Sequence, residues 1–246
     1  SEMCIRDREY SDLEVEFLEA DLSPRTAALA KGYDAICAFV SSDVSEKVVE
    51  CLAANGVKLV LMRCAGFNNV DLDAANRCGI TVLRVPGYSP EAVAEHAMAL
   101  PLAVTRRIHK SYIKVRENNF SLVGLTGMNF YGKTAGIIGT GKIGAAMCRI
   151  CHGFGMKVIA NSRHKKTGPQ YDGIEQVSME EIFERSDVIS IHCPHTKETE
   201  KLLNREAFAK MKDGVIIINT ARGIIIDEDA LLEALESRKV YMAGLD

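Results

Sequence analysis

The chain has 246 residues, enough for one large or two medium domains with buried cores. It is 47% hydrophobic and 26% charged, as globular proteins are, and its net charge of -3 gives no electrostatic attraction for nucleic acid or an anionic membrane. The longest apolar stretch, residues 97–104, falls far short of the roughly 20 residues a membrane span needs, and no secretory apolar region opens the chain. A cytoplasmic protein is expected, with neither nucleic acid nor membrane as partner.

Residues 1–8 look foreign to the rest of the chain. Met3-Cys4-Ile5-Arg6-Asp7 back-translates to a transposon end used in making sequencing libraries, so an adapter-derived scar is expected there and is set aside. From Val15 onward, short apolar runs alternate with helical segments. Runs at 15–18, 34–40, 58–63 and 80–85, rich in Val, Ile and Leu, suit parallel strands covered on both faces. Ser23 before Pro24 marks a helix start, Ser45 caps the next helix, and Asn55-Gly56 ends it. A third short helix covers 71–77 and closes at Gly79. Residues 9–100 are expected to form one β/α domain.

Ser89-Pro90 opens a long helix towards Arg116, with a kink expected at Pro101 because proline lacks the amide and clashes with the preceding turn. Lying between two β/α blocks, this helix suits a hinge. The second block, within residues 101–246, has strand patterns at 134–138, 157–160, 188–192 and 215–219. Ser178 with Glu181 forms a capping box, and Asp227 caps a helix through Leu235.

Gly139-Thr140-Gly141-Lys142-Ile143-Gly144 falls between the apolar run 134–138 and an amphipathic helical pattern, 142–154. A glycine turn between strand and helix lets backbone amides approach a pyrophosphate, whose charge the positive end of the helix dipole stabilises. Gly139, Gly141, Lys142, Ile143 and Gly144 are therefore candidate dinucleotide contacts. About twenty residues further on, such folds place an acidic residue on the adenosine ribose. Ser162 stands there instead, followed by Arg163, His164, Lys165 and Lys166, so NAD and NADP both remain open as cofactor.

The eight cysteines sit mostly at apolar positions such as Cys37 and Cys64, which suits reduced, buried thiols. Cys148 and Cys151 make a CxxC inside the helix after the glycine turn, where a core or helix-flank role outweighs redox or metal chemistry.

Five motifs in order carry a resemblance: Arg63-Cys64-Ala65-Gly66-Phe67-Asn68-Asn69-Val70-Asp71, Val85-Pro86-Gly87-Tyr88-Ser89-Pro90, Ala94-Glu95-His96, the glycine turn, and Asn219-Thr220-Ala221-Arg222-Gly223. With these the chain resembles the D-isomer-specific 2-hydroxyacid dehydrogenases, nearest their fermentative, D-lactate-forming members, from about Tyr10 to Asp246. The resemblance implies an α/β fold of two doubly wound parallel-sheet domains, a flavodoxin-like substrate domain and a Rossmann-like cofactor domain, both incomplete in this chain. It also implies hydride transfer between a nicotinamide cofactor, NAD by family default, and a small 2-keto or 2-hydroxy acid such as pyruvate, in the cleft between the domains. A homodimer is the expected assembly.

On the resemblance, Arg222 is the catalytic cation that grips the substrate carboxylate. It follows an apolar strand at the end where open α/β sheets place ligands. Ala65 and Gly66 offer backbone amides to the substrate, and Tyr88 a hydroxyl. Cys193, Pro194, Thr199, Thr220 and Ala221 match cofactor-lining positions, and Asp246 the aspartate beside the nicotinamide. The family's acid/base histidine and its glutamate lie beyond the point matching Asp246, so the 246 residues are expected to be truncated and inactive alone. His192 and His195 border the cofactor rather than donate the proton, His96 reads as a packed core histidine, and His109, His152 and His164 as surface or helix-end residues. The same fold would also serve a glyoxylate or hydroxypyruvate reductase, or a cofactor-sensing corepressor-like protein.

Overall fold

The computed structural model describes residues 13–246, and the chain forms two compact units divided between Tyr88 and Ser89. The adapter reading of residues 1–8 lies outside the described residues.

In the first unit three parallel strands, β1 (Ala35–Ala38), β2 (Leu59–Met62) and β3 (Thr81–Arg84), lie in the order β1-β2-β3. Helices α1 (Glu46–Ala54) and α2 (Leu72–Arg77) join them, and Val48, Val49, Leu52, Val60, Met62 and Ala74 form the core. Asp71 caps α2 by accepting from the Ala74 amide, while Gly56 and Gly79 end their helices at φ +89° and +69°, a backbone that favours glycine.

Four expectations fail in this unit, the first being cover on both strand faces, since Leu61 of β2 and Leu83 of β3 are exposed. Residues 15–18 form no strand: Val15, Phe17 and Leu18 are exposed, and no strand pairs with them among the described residues. Ser23 starts a turn rather than a full helix, its carbonyl accepting from the amides of Thr26 (3.0 Å) and Ala27 (2.9 Å), and only a 3-10 turn, Ala27–Ala30, follows. Cys37 is exposed rather than buried, because β1 covers Ala38 fully and leaves Cys37 outward.

The second unit contains α3 (Pro90–Thr105), α4 (Ile108–Arg116), β4 (Thr134–Ile138), α5 (Lys142–Gly153), β5 (Lys157–Asn161), β6 (Glu175–Gln176), α6 (Met179–Arg185), β7 (Val188–Ile191), α7 (Arg205–Lys210), β8 (Val215–Asn219), α8 (Glu228–Glu236) and β9 (Val240–Leu245). Its six strands are all parallel, in the order β6-β5-β4-β7-β8-β9. Counted from β4, that is 3-2-1-4-5-6, the doubly wound order of dinucleotide-binding sheets.

Successive residues of the central strands face opposite layers. Ile189, Ile191 and Ile217 join Ile182 of α6, Phe208 of α7 and Leu231 of α8. Val188, Ile216 and Ile218 join Ala97 and Met98 of α3 and Met147 of α5 on the other side. Complete burial of each isoleucine contributes on the order of 1.5–3 kcal/mol, which is why these strands read as unbroken apolar runs.

Helix α3 belongs to this second unit because it packs along α5 and β9. The single long helix expected over 89–116 is two. Arg107 takes left-handed backbone (φ 52°) between α3 and α4, at a cost of roughly 1–2 kcal/mol. Its guanidinium compensates by donating to the Thr126 carbonyl (3.3 Å) and the Tyr241 hydroxyl (3.2 Å). No described helix is long and apolar enough to cross a membrane.

Candidate functional site

The sheet order of the second unit reverses between β4 and β7, and the crevice of such a sheet opens at the carboxyl ends of those strands. Gly139 follows β4 at φ +91° and gives its amide to the Asn161 carbonyl at 2.8 Å. A Cβ there would stand 2.6 Å from the Cys193 amide nitrogen, so the two loops meet only because the residue is glycine. At Gly144 a Cβ would collide with the Gly139 carbonyl oxygen, whereas at Gly141 it would meet nothing within 4 Å. Two glycines thus let the turn close, and the third keeps a face open.

That open face leads to the start of α5. Helices α2, α3, α6, α7 and α8 occupy first-turn amides with the side chains of Asp71, Ser89, Ser178, Asn204 and Asp227. The N-cap of α5 is Gly141, which has no side-chain acceptor. The amides of Lys142, Ile143 and Gly144 therefore point outward with the helix dipole behind them, which suits a pyrophosphate. Thr140, 1% exposed, has a buried hydroxyl without a hydrogen-bond partner, a second sign that a polar ligand completes this turn. A cleft of about 400 Å³ borders it, lined among others by Thr140, Gly141, Lys142, Lys166, Gln170 and Tyr171. The Tyr171 hydroxyl donates to the Thr140 carbonyl at 3.0 Å and steadies the turn from a distant segment.

Ser162 follows β5, and its hydroxyl donates to the His164 carbonyl at 2.8 Å. After β7, Cys193 is buried, and burial pushes its thiol pKa up. Pro194 is exposed, and its carbonyl accepts from the Thr199 hydroxyl at 2.8 Å; the same hydroxyl accepts from the Thr196 amide at 2.8 Å. Thr199 thus shapes the loop with its side chain. His192 sits beside Ser190, 2.9 Å from its hydroxyl, and burial lowers its pKa to about 4, so it is neutral near pH 7. His195 carries a buried Nε2 without a hydrogen bond, 3.7 Å from the Glu200 carboxylate.

After β8 the loop is organised by Asn219, a buried side chain with no role foreseen from the sequence. Its Oδ1 accepts from the Ala221 amide (3.0 Å), its Nδ2 donates to the Arg222 carbonyl (2.9 Å), and its own carbonyl accepts from the Asp246 amide (3.1 Å). Arg222 and Asp246 are thereby held at the carboxyl ends of neighbouring strands β8 and β9. Arg222 is exposed, and its Nη1 donates to the Ala221 carbonyl at 2.7 Å. The Thr220 hydroxyl is buried without a partner.

Asp246 is exposed and lies 3.9 Å from the Nε2 of His96 on α3. His96 is half exposed rather than a packed core histidine, because the apolar face of α3 is carried by Ala94, Ala97 and Met98. His109, His152 and His164 are exposed, as expected.

In the first unit, Ala65 and Gly66 lie in the loop after β2, where the Ala65 carbonyl accepts from Arg84 (2.9 Å) and the Gly66 carbonyl from the Cys64 thiol (3.2 Å). Tyr88 is 72% exposed. Cys148 and Cys151 are buried in α5, and burial pushes both thiols up to about 12, which fits a packing role. No cluster of metal-ligating side chains occurs among the described residues. Sequence reasoning found the glycine turn because its geometry demands glycine. It missed Tyr171, Thr140 and Asn219, of which only Asn219 left a signal, as the fixed residue opening the Thr220-Ala221-Arg222 loop.

Residues 98–246 match the family model for the D-isomer specific 2-hydroxyacid dehydrogenase, NAD binding domain. The chain is 52% identical over 233 residues to D-lactate dehydrogenase of Escherichia coli, covering 95% of this chain and 71% of that protein. It is 51% identical to a 2-hydroxyacid dehydrogenase homolog of Haemophilus influenzae, over 98% and 75% of the two chains. Among solved structures it is similar to apo D-lactate dehydrogenase from Escherichia coli (TM-score 0.93, 49% identity, 100% and 78% covered). It is also similar to D-lactate dehydrogenase from Aquifex aeolicus complexed with NAD and lactic acid (TM-score 0.88, 35% identity, 100% and 73% covered).

Proposed function

Because the chain belongs to the D-isomer specific 2-hydroxyacid dehydrogenases, NAD-dependent oxidoreductases, we propose that it reduces a short 2-keto acid, pyruvate foremost, to the D-2-hydroxy acid. The observation that carries this reading is the placement of Arg222. Asn219 holds it at the carboxyl end of β8, in the same sheet whose β4 and α5 form the dinucleotide cradle. When bound, the reduced nicotinamide supplies the hydride.

The chain's own residues bind and orient. Amides of Lys142, Ile143 and Gly144 take the pyrophosphate, with the Thr140 hydroxyl available beside them. The loops bearing Cys193, Pro194, Thr199, Thr220 and Ala221 shape the walls. Asp246 accepts from the carboxamide of the nicotinamide. Arg222 grips the substrate carboxylate through paired N–H donors, a geometry matched to a planar carboxylate. Ala65, Gly66 and Tyr88 are assigned to the substrate as well.

The proton for the developing alkoxide is not assigned to any histidine of residues 1–246. His192 is neutral near pH 7 and already engaged with Ser190.

The buried, thiol-form Cys148, Cys151 and Cys193 support a reducing, cytoplasmic setting. A homodimer is supported by α4, which buries no residue and exposes Ile108, Tyr112, Ile113 and Val115, with Phe120, Leu122 and Val123 exposed beyond it.

The test is Arg222→Gln in the natural polypeptide that carries these residues, assayed with NADH against a panel of 2-keto acids. The expected result is pyruvate as the best substrate and a loss of about a hundredfold in kcat/KM, corresponding to ~3 kcal/mol of charge-assisted binding, with NADH affinity kept. Unchanged kcat/KM in this variant overturns the reading.

A further inference from the structure

We propose that the loop 162–166 is a seat for a 2′-phosphate, so that the chain accepts NADP at least as readily as NAD. This rests on the reading of the Gly139–Gly144 turn as a pyrophosphate cradle.

Discrimination against a 2′-phosphate needs a negative charge at the end of β5, where the adenosine ribose lies in such sheets. Here that position is Ser162, and no acidic residue occurs from Asn161 through Tyr171. The Ser162 hydroxyl is already spent inside the loop on the His164 carbonyl at 2.8 Å. In place of a carboxylate come four consecutive basic side chains, Arg163, His164, Lys165 and Lys166. A dianion arriving there meets net attraction from the loop itself.

The loop is also built to hold its shape. Gln176 of β6 clamps both backbone groups of Lys166, accepting from its amide at 2.8 Å and donating to its carbonyl at 2.5 Å. Lys166 borders the same cleft of about 400 Å³ as Thr140, Gly141 and Lys142, which places it beside the cradle rather than on a remote surface. Arg163 lies 3.6 Å from Glu198, but the two side chains are 66% and 74% exposed, so solvent screens that pair and a phosphate outcompetes it.

The test is calorimetric titration of the chain with 5′-AMP and with adenosine 2′,5′-bisphosphate, which carry the two versions of the ribose without any redox chemistry. The bisphosphate is expected to bind at least about tenfold more tightly, an advantage that shrinks as salt is raised. Arg163→Gln together with Lys166→Gln should bring the ratio of the two affinities toward one, and Ser162→Asp should invert it. Equal or weaker binding of the bisphosphate by the unmodified chain, with NADH still bound, overturns the 2′-phosphate seat alone. Failure to bind NADH and both nucleotides overturns the cradle reading on which it rests.

Discussion

Asn219 holds Arg222 in place from beneath: the buried amide donates to the arginine's carbonyl at 2.9 Å while accepting from the Ala221 amide at 3.0 Å. Asn219→Ala removes both bonds and leaves the part-buried Ala221 amide and Arg222 carbonyl without these partners. Stability is expected to fall by about 2–3 kcal/mol, read as a shifted urea midpoint. In the natural polypeptide KM for pyruvate should rise more than KM for NADH, because the loop that aims Arg222 is loosened while the glycine turn is untouched.

The glycines of the turn separate into two roles that substitution distinguishes. Gly144→Ala drives a methyl into the Gly139 carbonyl, so the fold itself should lose about 1–3 kcal/mol by thermal melting. Gly141→Ala meets nothing in the free protein and should leave the melting temperature nearly unchanged. Its methyl occupies the face that a pyrophosphate would approach, so NADH affinity, measured by fluorescence, should still drop about tenfold or more.

His192 gives the chain a pH signature. Its folded-state pKa of about 4 lies below the ordinary 6.5, so the unfolded chain takes up the proton first as pH falls. The associated stability is fully present above pH 6.5 and is lost progressively from there down to about pH 4, by on the order of 1–3 kcal/mol. Urea titrations at pH 7 and pH 4.5 should show a larger loss for the unmodified chain than for His192→Gln.

Cys148 and Cys151, with thiols near 12, should resist a disulfide reagent at pH 8 in the folded protein and react on unfolding. Prompt reaction of either thiol in the native state would contradict their burial in α5.

The sequence exposes those parts of the molecule whose physics is local. Strands β4 and β8 are readable to the residue because burial on both faces imposes an unbroken apolar run. Ser178–Glu181 and Asp227 mark helix starts because capping is chemistry within one turn. By contrast β6 is two polar residues that become a strand only by pairing with β5, and the apolar stretch 15–18 lacks any such neighbour among the described residues.

The same division runs through the site. Gly139 and Gly144 are legible because a side chain at either position would collide with neighbouring backbone. Tyr171 reaches the Thr140 carbonyl from thirty-one positions away, and no periodicity announces that contact. The break at Arg107 was equally hidden, since its compensation comes from Thr126 and from Tyr241, 134 positions distant.

That break has a dynamic consequence. Helix α4 buries none of its side chains within its own chain, so its amide protons should exchange with solvent far sooner than those of α3, whose Ala94, Ala97 and Met98 are locked against α5. If a second copy covers Ile108, Tyr112 and Val115, exchange from α4 alone should slow as protein concentration rises, making this one helix a built-in gauge of self-association.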